Sequence, residues 1–419
     1  MNRFFLIFYV TISILCYGYD YPFKDPYLAT VLATLPEDMA KYEETDYKEF
    51  KLNLDNGEIP KNLWYLETFK FGLMAQEKKA PLLFLFAGTG SRYNSSKMLT
   101  MGRILYNRGF SVILLPTSFD YNYIVSVSKI HAPGFLSKDG QEMYDLMKVV
   151  LEKIEKKVEY DEIMVTGYSL GGTMSLVVGE IDSREKYFNF KKIVAVNPTV
   201  NLYESAKLLD DLLDDNIQSE KELEELLNRI ILEIMKFSNE NRKMKIDESS
   251  IYELFTKLNL KDDELEILIG VAFRLMAIDI NYISDLMTKS NVYTDSTKEV
   301  KKYQSMSEYY RAINYSNFQN YIDRVGYETY HRLDNSLTLE GMIACSSLET
   351  IDSYLKNADN ILVMTNEDEI ILTPENLNYL KKTLKEKLKV YPYGGHCGNL
   401  FYKENVDFMV DYFLEGDVK

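Results

Sequence analysis

At roughly 150 residues per domain, a chain of 419 residues holds two or three folding units, or one large domain with an insertion. Its 46% apolar and 27% charged residues exclude collagen-like, disordered and multi-span membrane classes, and a net charge of −16 (48 basic against 64 acidic residues) repels a phosphate backbone and excludes nucleic acid as a partner. Three cysteines, one of them near the N-terminus, cannot by themselves form a disulfide framework or a four-ligand zinc site, and three histidines limit metal chemistry further, so no structural metal is expected.

Taken in chain order, the first element is a targeting segment. Asn2 and Arg3 precede an apolar run from Phe4 to Leu15 that is too short for an ordinary transmembrane helix but suits the core of a secretory signal. Cys16 and Gly18 fit a small-x-small cleavage site after Gly18, which places the mature chain in an exported compartment, periplasmic or extracellular. Cys16 also resembles a bacterial acylation site, although Leu15 is bulky for one; in that alternative the mature chain is a lipoprotein held at a membrane through a lipidated Cys16.

Phe50, Leu52 and Leu54 alternate with polar residues before Asp55-Asn56-Gly57, which predicts an antiparallel opening strand and a turn. Short apolar runs follow at Pro81–Phe86, Phe110–Leu115, Ile163–Thr166, Ile193–Val196, Ile361–Met364 and Leu388–Tyr391, each bounded by turn residues, as buried parallel strands are. Between them, segments such as Gln141–Lys156 carry helical periodicity, so strand and helix alternate and the fold class is α/β. All ten prolines lie at or before Pro198 or at or after Pro374, and Gly270 and Gly326 are the only glycines between Gly179 and Gly341. That interval is expected to be helical, with apolar stripes at Leu223, Leu226, Leu227, Ile230, Ile231 and Ile234 and at Leu265, Leu268, Ile269, Ala272 and Met276.

One motif carries chemistry. Gly167-Tyr168-Ser169-Leu170-Gly171 falls between a strand ending near Thr166 and a small-residue-rich helix from Leu170 to Glu180, which puts Ser169 on a sharp strand-to-helix turn. Glycines on both sides let the chain fold tightly beneath the serine, and the new helix offers the Leu170 N–H to a developing oxyanion. A serine hydroxyl needs a base, and a histidine held by a carboxylate supplies one. His131 and His331 read as solvent-facing or satisfied core histidines. His396 sits in the glycine-flanked Tyr393-Gly394-Gly395-His396-Cys397-Gly398 loop between the last strand and the last helix, Asn405–Leu414. The acid is expected in Asn366-Glu367-Asp368-Glu369. Asp368 is favoured for its shorter arm, with Glu369, one residue further along the loop, as the alternative. A second oxyanion donor is expected in Gly88-Thr89-Gly90-Ser91, from the N–H of Thr89 or alternatively of Gly90.

Ser169, Asp368 or Glu369, and His396, in this order and with this turn, resemble the α/β-hydrolase superfamily over most of the mature chain. The resemblance implies a mainly parallel eight-strand sheet with helices on both faces and a helical lid after the sixth strand. It divides the chain into a signal peptide (1–18), a core (19–198 and 341–419) and a lid (199–340). Gly88-Thr89-Gly90 departs from the His-Gly opening of many members, and the acid turn reads Asp-Glu. The implied activity is that of a secreted serine hydrolase, lipase-like or esterase-like, acting without a cofactor through an acyl-enzyme on small or lipid-like carboxylic esters in preference to peptides. A catalytically inert exported binding protein on the same fold is the alternative.

Overall fold

The computed structural model describes residues 18–414, apart from 218, 220, most of 227–259, 296, 299 and 305–315. The signal segment with Cys16, and Leu227, Ile230, Ile231 and Ile234 of the first helical stripe, lie outside the described residues.

Eight strands form one sheet: β1 (Lys48–Leu52), β2 (Phe69–Met74), β3 (Leu82–Phe86), β4 (Ser111–Leu115), β5 (Ile163–Tyr168), β6 (Ile193–Val196), β7 (Ile361–Asn366) and β8 (Leu388–Tyr391). Their order is β1-β2-β4-β3-β5-β6-β7-β8. β1 and β2 pair antiparallel, β2 pairs antiparallel with β4, and every later pairing is parallel. With helices on both faces this is the α/β-hydrolase fold that the resemblance implies. β3, β4 and β5 are buried on both faces, which is why they read as continuous apolar runs. β1 is covered on one face only, burying Phe50 and Leu52 and exposing Lys48, Glu49 and Lys51. β2 escaped the sequence reading because Lys70 and Gly72 interrupt it. Gly72 is needed there, since a Cβ would stand 3.1 Å from the side chains of Leu114 and Tyr47.

The helices are α1 (Pro26–Leu32), α2 (Ser96–Asn107), α3 (Tyr121–Ser126), α4 (Leu136–Ile154), α5 (Leu170–Glu185), α6 (Leu202–Asp214), α7 (Asp262–Thr288), α8 (Phe318–Tyr321), α9 (Tyr327–Leu333), α10 (Leu339–Cys345), α11 (Asp352–Asn357), α12 (Pro374–Leu384) and α13 (Lys403–Leu414). One core layer packs α4, α5 and α12 against the sheet through residues such as Met147, Val177 and Leu380; the other packs α2 and α13 through Met101, Ile104 and Met409.

Between β6 and β7 the described secondary structure is helical apart from one isolated bridge, as the missing prolines predict. α7 is long and apolar enough for a membrane span by length and composition, but 56% of its apolar window is buried, and it packs against α1, α3 and α6. The face it buries differs from the predicted stripe. Leu265 is buried as expected, whereas Ala272 is exposed and the buried face runs through Gly270, Phe273 and Ala277. The cause is close helix packing: a Cβ at Gly270 would lie 2.7 Å from the backbone N of Leu213 in α6, so the contact face is set by the glycine.

Candidate active site

β5 ends at Tyr168 and α5 begins at Leu170, leaving Ser169 alone in the turn at φ 56° and ψ −128°. A non-glycine residue at positive φ is strained and persists only where its surroundings fix it. Here they do. The Ser169 N–H donates to the Val196 carbonyl at 2.8 Å, and the Ser169 carbonyl accepts from Gly172 and Thr173. Side chains at the two flanking glycines would collide with backbone: a Cβ at Gly167 would stand 2.4 Å from Gly171, and one at Gly171 would stand 2.4 Å from the Phe86 carbonyl.

The loop after β8 brings His396 to this turn. Its Nε2 lies 2.9 Å from Ser169 Oγ, and its Nδ1 lies 2.9 Å from Glu369 Oε1. With the proton on Nδ1, the ring donates to the carboxylate and accepts from the serine hydroxyl. Glu369 has a side chain only 1% exposed; its Oε2 accepts from the Asn197 amide at 2.5 Å, and its Oε1 also accepts from the Ile371 N–H. Burial favours the neutral imidazole, but Cys397 and the Glu369 carboxylate favour the imidazolium and outweigh it, so the pKa of His396 is raised.

The expectation that Asp368 pairs with His396 is corrected. Asp368 turns the other way and accepts the N–H groups of Gly394 and Gly395 at 3.1 and 3.0 Å. Successive residues of the turn face opposite sides, and the longer glutamate arm is the one that reaches the ring. Asp368 therefore shapes the histidine loop from beneath, where Gly394 (φ 148°) and Gly395 (φ 52°) hold backbone conformations that suit glycine.

Two partners of the loop were not seen in the sequence. The His396 N–H donates to Thr30 Oγ1 at 2.8 Å, and that hydroxyl donates onward to the Pro26 carbonyl at 2.7 Å. Thr34 Oγ1 donates to the Gly398 carbonyl at 2.8 Å, so α1 and the residues after it clamp the loop from the N-terminal side. Only the N-capping Asp25-Pro26 pair marks α1 in the sequence, and nothing there ties it to a loop more than 360 residues away. The Asn366 amide adds a third tie by donating to the Gly395 carbonyl.

Thr89, in the turn after β3, lines with Ser169 and Leu170 a cavity of about 40 Å³. The rest of its wall is mostly apolar and comes largely from the helical segment: Leu202, Ala206 and Leu209 of α6, Phe273 of α7 and Phe318 of α8. Gly90, the alternative donor, packs against α7. Its φ is 66°, and a Cβ there would stand 2.7 Å from Met276 Sδ of α7. His131 and His331 each place Nδ1 on a backbone carbonyl, of Ile124 and Leu337, in keeping with structural roles. Cys345 and Cys397 are both free thiols.

No family profile and no curated protein sequence matches the chain. Among solved structures it is similar to a thioesterase domain from the curacin biosynthetic pathway (10% identity, 88% of this chain and 99% of that one, TM-score 0.39). It is also similar to the Pyrococcus horikoshii acylaminoacyl peptidase (11% identity, 90% of this chain but 43% of that one, TM-score 0.44) and to a fungal esterase from Rhizomucor miehei (13% identity, 92% and 88%, TM-score 0.42). The fold rests on the strand order and pairing described above, not on these likenesses.

Proposed function

We propose that the protein is an exported serine hydrolase that cleaves carboxylic esters through Ser169, His396 and Glu369. The observation that carries this reading is the unbroken chain of contacts from Ser169 Oγ to His396 Nε2 and from Nδ1 to Glu369, each at 2.9 Å, beneath a serine held at positive φ. In the proposed cycle His396 takes the Ser169 proton as the hydroxyl attacks the ester carbonyl. Glu369 stabilises the imidazolium, and the oxyanion forms toward the N–H groups of Leu170 and Thr89. His396 then protonates the leaving alcohol, and a water deprotonated by the same ring releases the acid from the acyl-serine.

The mostly apolar cavity wall favours a lipophilic acyl group over a peptide. A volume of about 40 Å³ holds only a few water molecules, so a long acyl chain requires the wall from α6, α7 and α8, within the proposed lid 199–340, to move aside. Export, with cleavage after Gly18 or acylation at Cys16, belongs to the same proposal and rests on the N-terminal sequence.

The test is a fluorophosphonate probe together with turnover of p-nitrophenyl esters. Wild type is expected to be labelled and active, and Ser169→Ala to be unlabelled, folded and slower by about 10⁶-fold. Equal turnover by the two would defeat the reading.

A further inference from the structure

On the far side of α7 from Gly270, the groove beside the short helical turn Lys61–Leu66 has a volume of about 430 Å³ and opens to solvent. Trp64, Tyr65, Tyr121 and Tyr282 line it, with Asp279 of α7 among them. Trp64 and Tyr65 are 45% and 57% exposed, an unusual amount of aromatic surface to leave in water. The groove is separate from the Ser169 cavity: the two share no lining residue.

Two observations give the groove a chemical preference. The first is that its aromatic faces already attract cations: Lys302 Nζ stands 4.2 Å above the Trp64 ring, and the Arg92 guanidinium lies 5.5 Å from the centre of Tyr121. The second is Asp279. Burial raises its pKa, and none of the ion pairs found among the described residues includes it, so the carboxylate is partly desolvated without a directly paired counter-charge. An electron-rich aromatic wall beside a carboxylate that no cation directly pairs is the arrangement that recognises an alkylated ammonium. The ring faces accept its N-methyl or methylene groups, and the carboxylate balances its charge. Lys302 is exposed and sits on a turn, so its ammonium can leave the ring when a better-fitting cation arrives.

We infer that this groove is a binding site for an organic ammonium group, in which Trp64 supplies the cation-facing ring, Asp279 the charge, and Lys302 occupies the ring in the free protein. The net charge of −16 draws such ligands toward the surface in general, but it does not select the groove.

Trp64 is the single tryptophan of the chain, so its fluorescence reports on the groove directly. The intact protein is titrated with choline and, separately, with 3,3-dimethylbutan-1-ol, which has the same shape without the charge. Choline is expected to change the Trp64 emission saturably and the alcohol is not. Asp279→Asn should weaken choline binding about tenfold, the loss of one charge pair at a half-buried site. Lys302→Gln should tighten it by removing the competing ammonium. Matching curves for choline and the alcohol would overturn the inference, as would an unaltered affinity in Asp279→Asn or weaker binding in Lys302→Gln. All readouts are independent of ester hydrolysis, so they stand or fall apart from the serine chemistry.

Discussion

The histidine loop and the helical segment above the serine meet at the same cavity, but different forces hold them. The loop from Gly394 to Gly398 is tied by directional bonds: Asp368 takes two of its N–H groups, Asn366 donates to one carbonyl, Thr30 accepts from His396 and Thr34 donates to Gly398. The helical segment meets the core mainly through apolar side chains, in a cluster that includes Leu170, Ala206, Phe273 and Phe318. Hydrogen bonds fix angles as well as distances, whereas apolar contacts tolerate sliding and repacking. On the proposed reading, a site built this way keeps its proton-transfer geometry rigid and leaves its substrate wall adjustable. That division follows the needs of catalysis, where the reacting atoms tolerate little misplacement and an acyl chain needs only to be out of water.

The largest expected effect tests the rigid half. Glu369→Gln should lower kcat by up to about 10⁴-fold, because the amide no longer fixes the ring tautomer or stabilises the imidazolium. Asp368→Asn should lose far less activity, since the amide oxygen still accepts from one of the two loop N–H groups and the catalytic contacts of His396 are untouched. Both variants are measured on one short ester. A crippled Asp368→Asn beside an active Glu369→Gln would reverse the assignment made from the geometry.

These adjacent carboxylates also show how far the sequence could be read. The serine, the histidine and six of the eight strands were legible because each depends on local pattern: a glycine pair around a turn, or a short apolar run bounded by turn residues. β1 was legible from its alternation, while β2 was hidden by Lys70 and Gly72. The choice between Asp368 and Glu369 was not legible, since both stand in the correct turn and only the three-dimensional path of the histidine loop decides which one faces the ring. Thr30 was further out of reach: its role comes from a contact across 366 positions, and long-range contacts leave no local periodicity.

Thr30 is the next point at which to press on the loop. Thr30→Val keeps the shape but removes the acceptor for the His396 N–H, leaving a largely buried donor unpaired, a loss of about 1–3 kcal/mol. If that strain moves the ring, kcat falls about tenfold with KM nearly unchanged. Thr30→Ser restores the hydroxyl and should restore kcat. Equal kcat in the valine and wild-type proteins would mean that α1 only packs beside the loop and does not position it.

A smaller effect concerns pH. In the proposed cycle the reacting base is neutral His396, and its pKa is raised, so kcat/KM should fall as pH drops through a value above the ordinary histidine range near 6.5. Cys397, whose Sγ lies 3.9 Å from Nε2, is one of the groups that favour the imidazolium. Removing it in Cys397→Ala lowers the pKa, enlarges the neutral fraction on the acid side and moves the acid limb to lower pH, which gives a severalfold gain in kcat/KM below the wild-type midpoint. Profiles of both proteins on the same ester decide it; coincident acid limbs would remove Cys397 from the account.

The smallest expected change in chemistry comes from the soft half. Phe273 is 6% exposed, stacks on Phe318 with ring centres 5.0 Å apart, and lines the cavity beside Ser169. Truncating such a ring leaves a void and typically removes about 3–5 kcal/mol of packing, so the helical segment should lose stability in Phe273→Ala. The serine, histidine and glutamate are tied elsewhere, and kcat on an acetyl ester should stay within about threefold of wild type, as expected of a substitution that does not touch the reacting atoms. The void does extend the apolar cavity, and each added methylene that it shelters from water is worth about 0.8 kcal/mol. The ratio of kcat/KM for an octanoyl over an acetyl ester should therefore rise in the variant. A fall in acetyl-ester kcat as deep as that of Thr30→Val, with no change in chain-length preference, would show that the two halves are not separable and that α7 helps to hold the catalytic geometry through Met276 and Gly90.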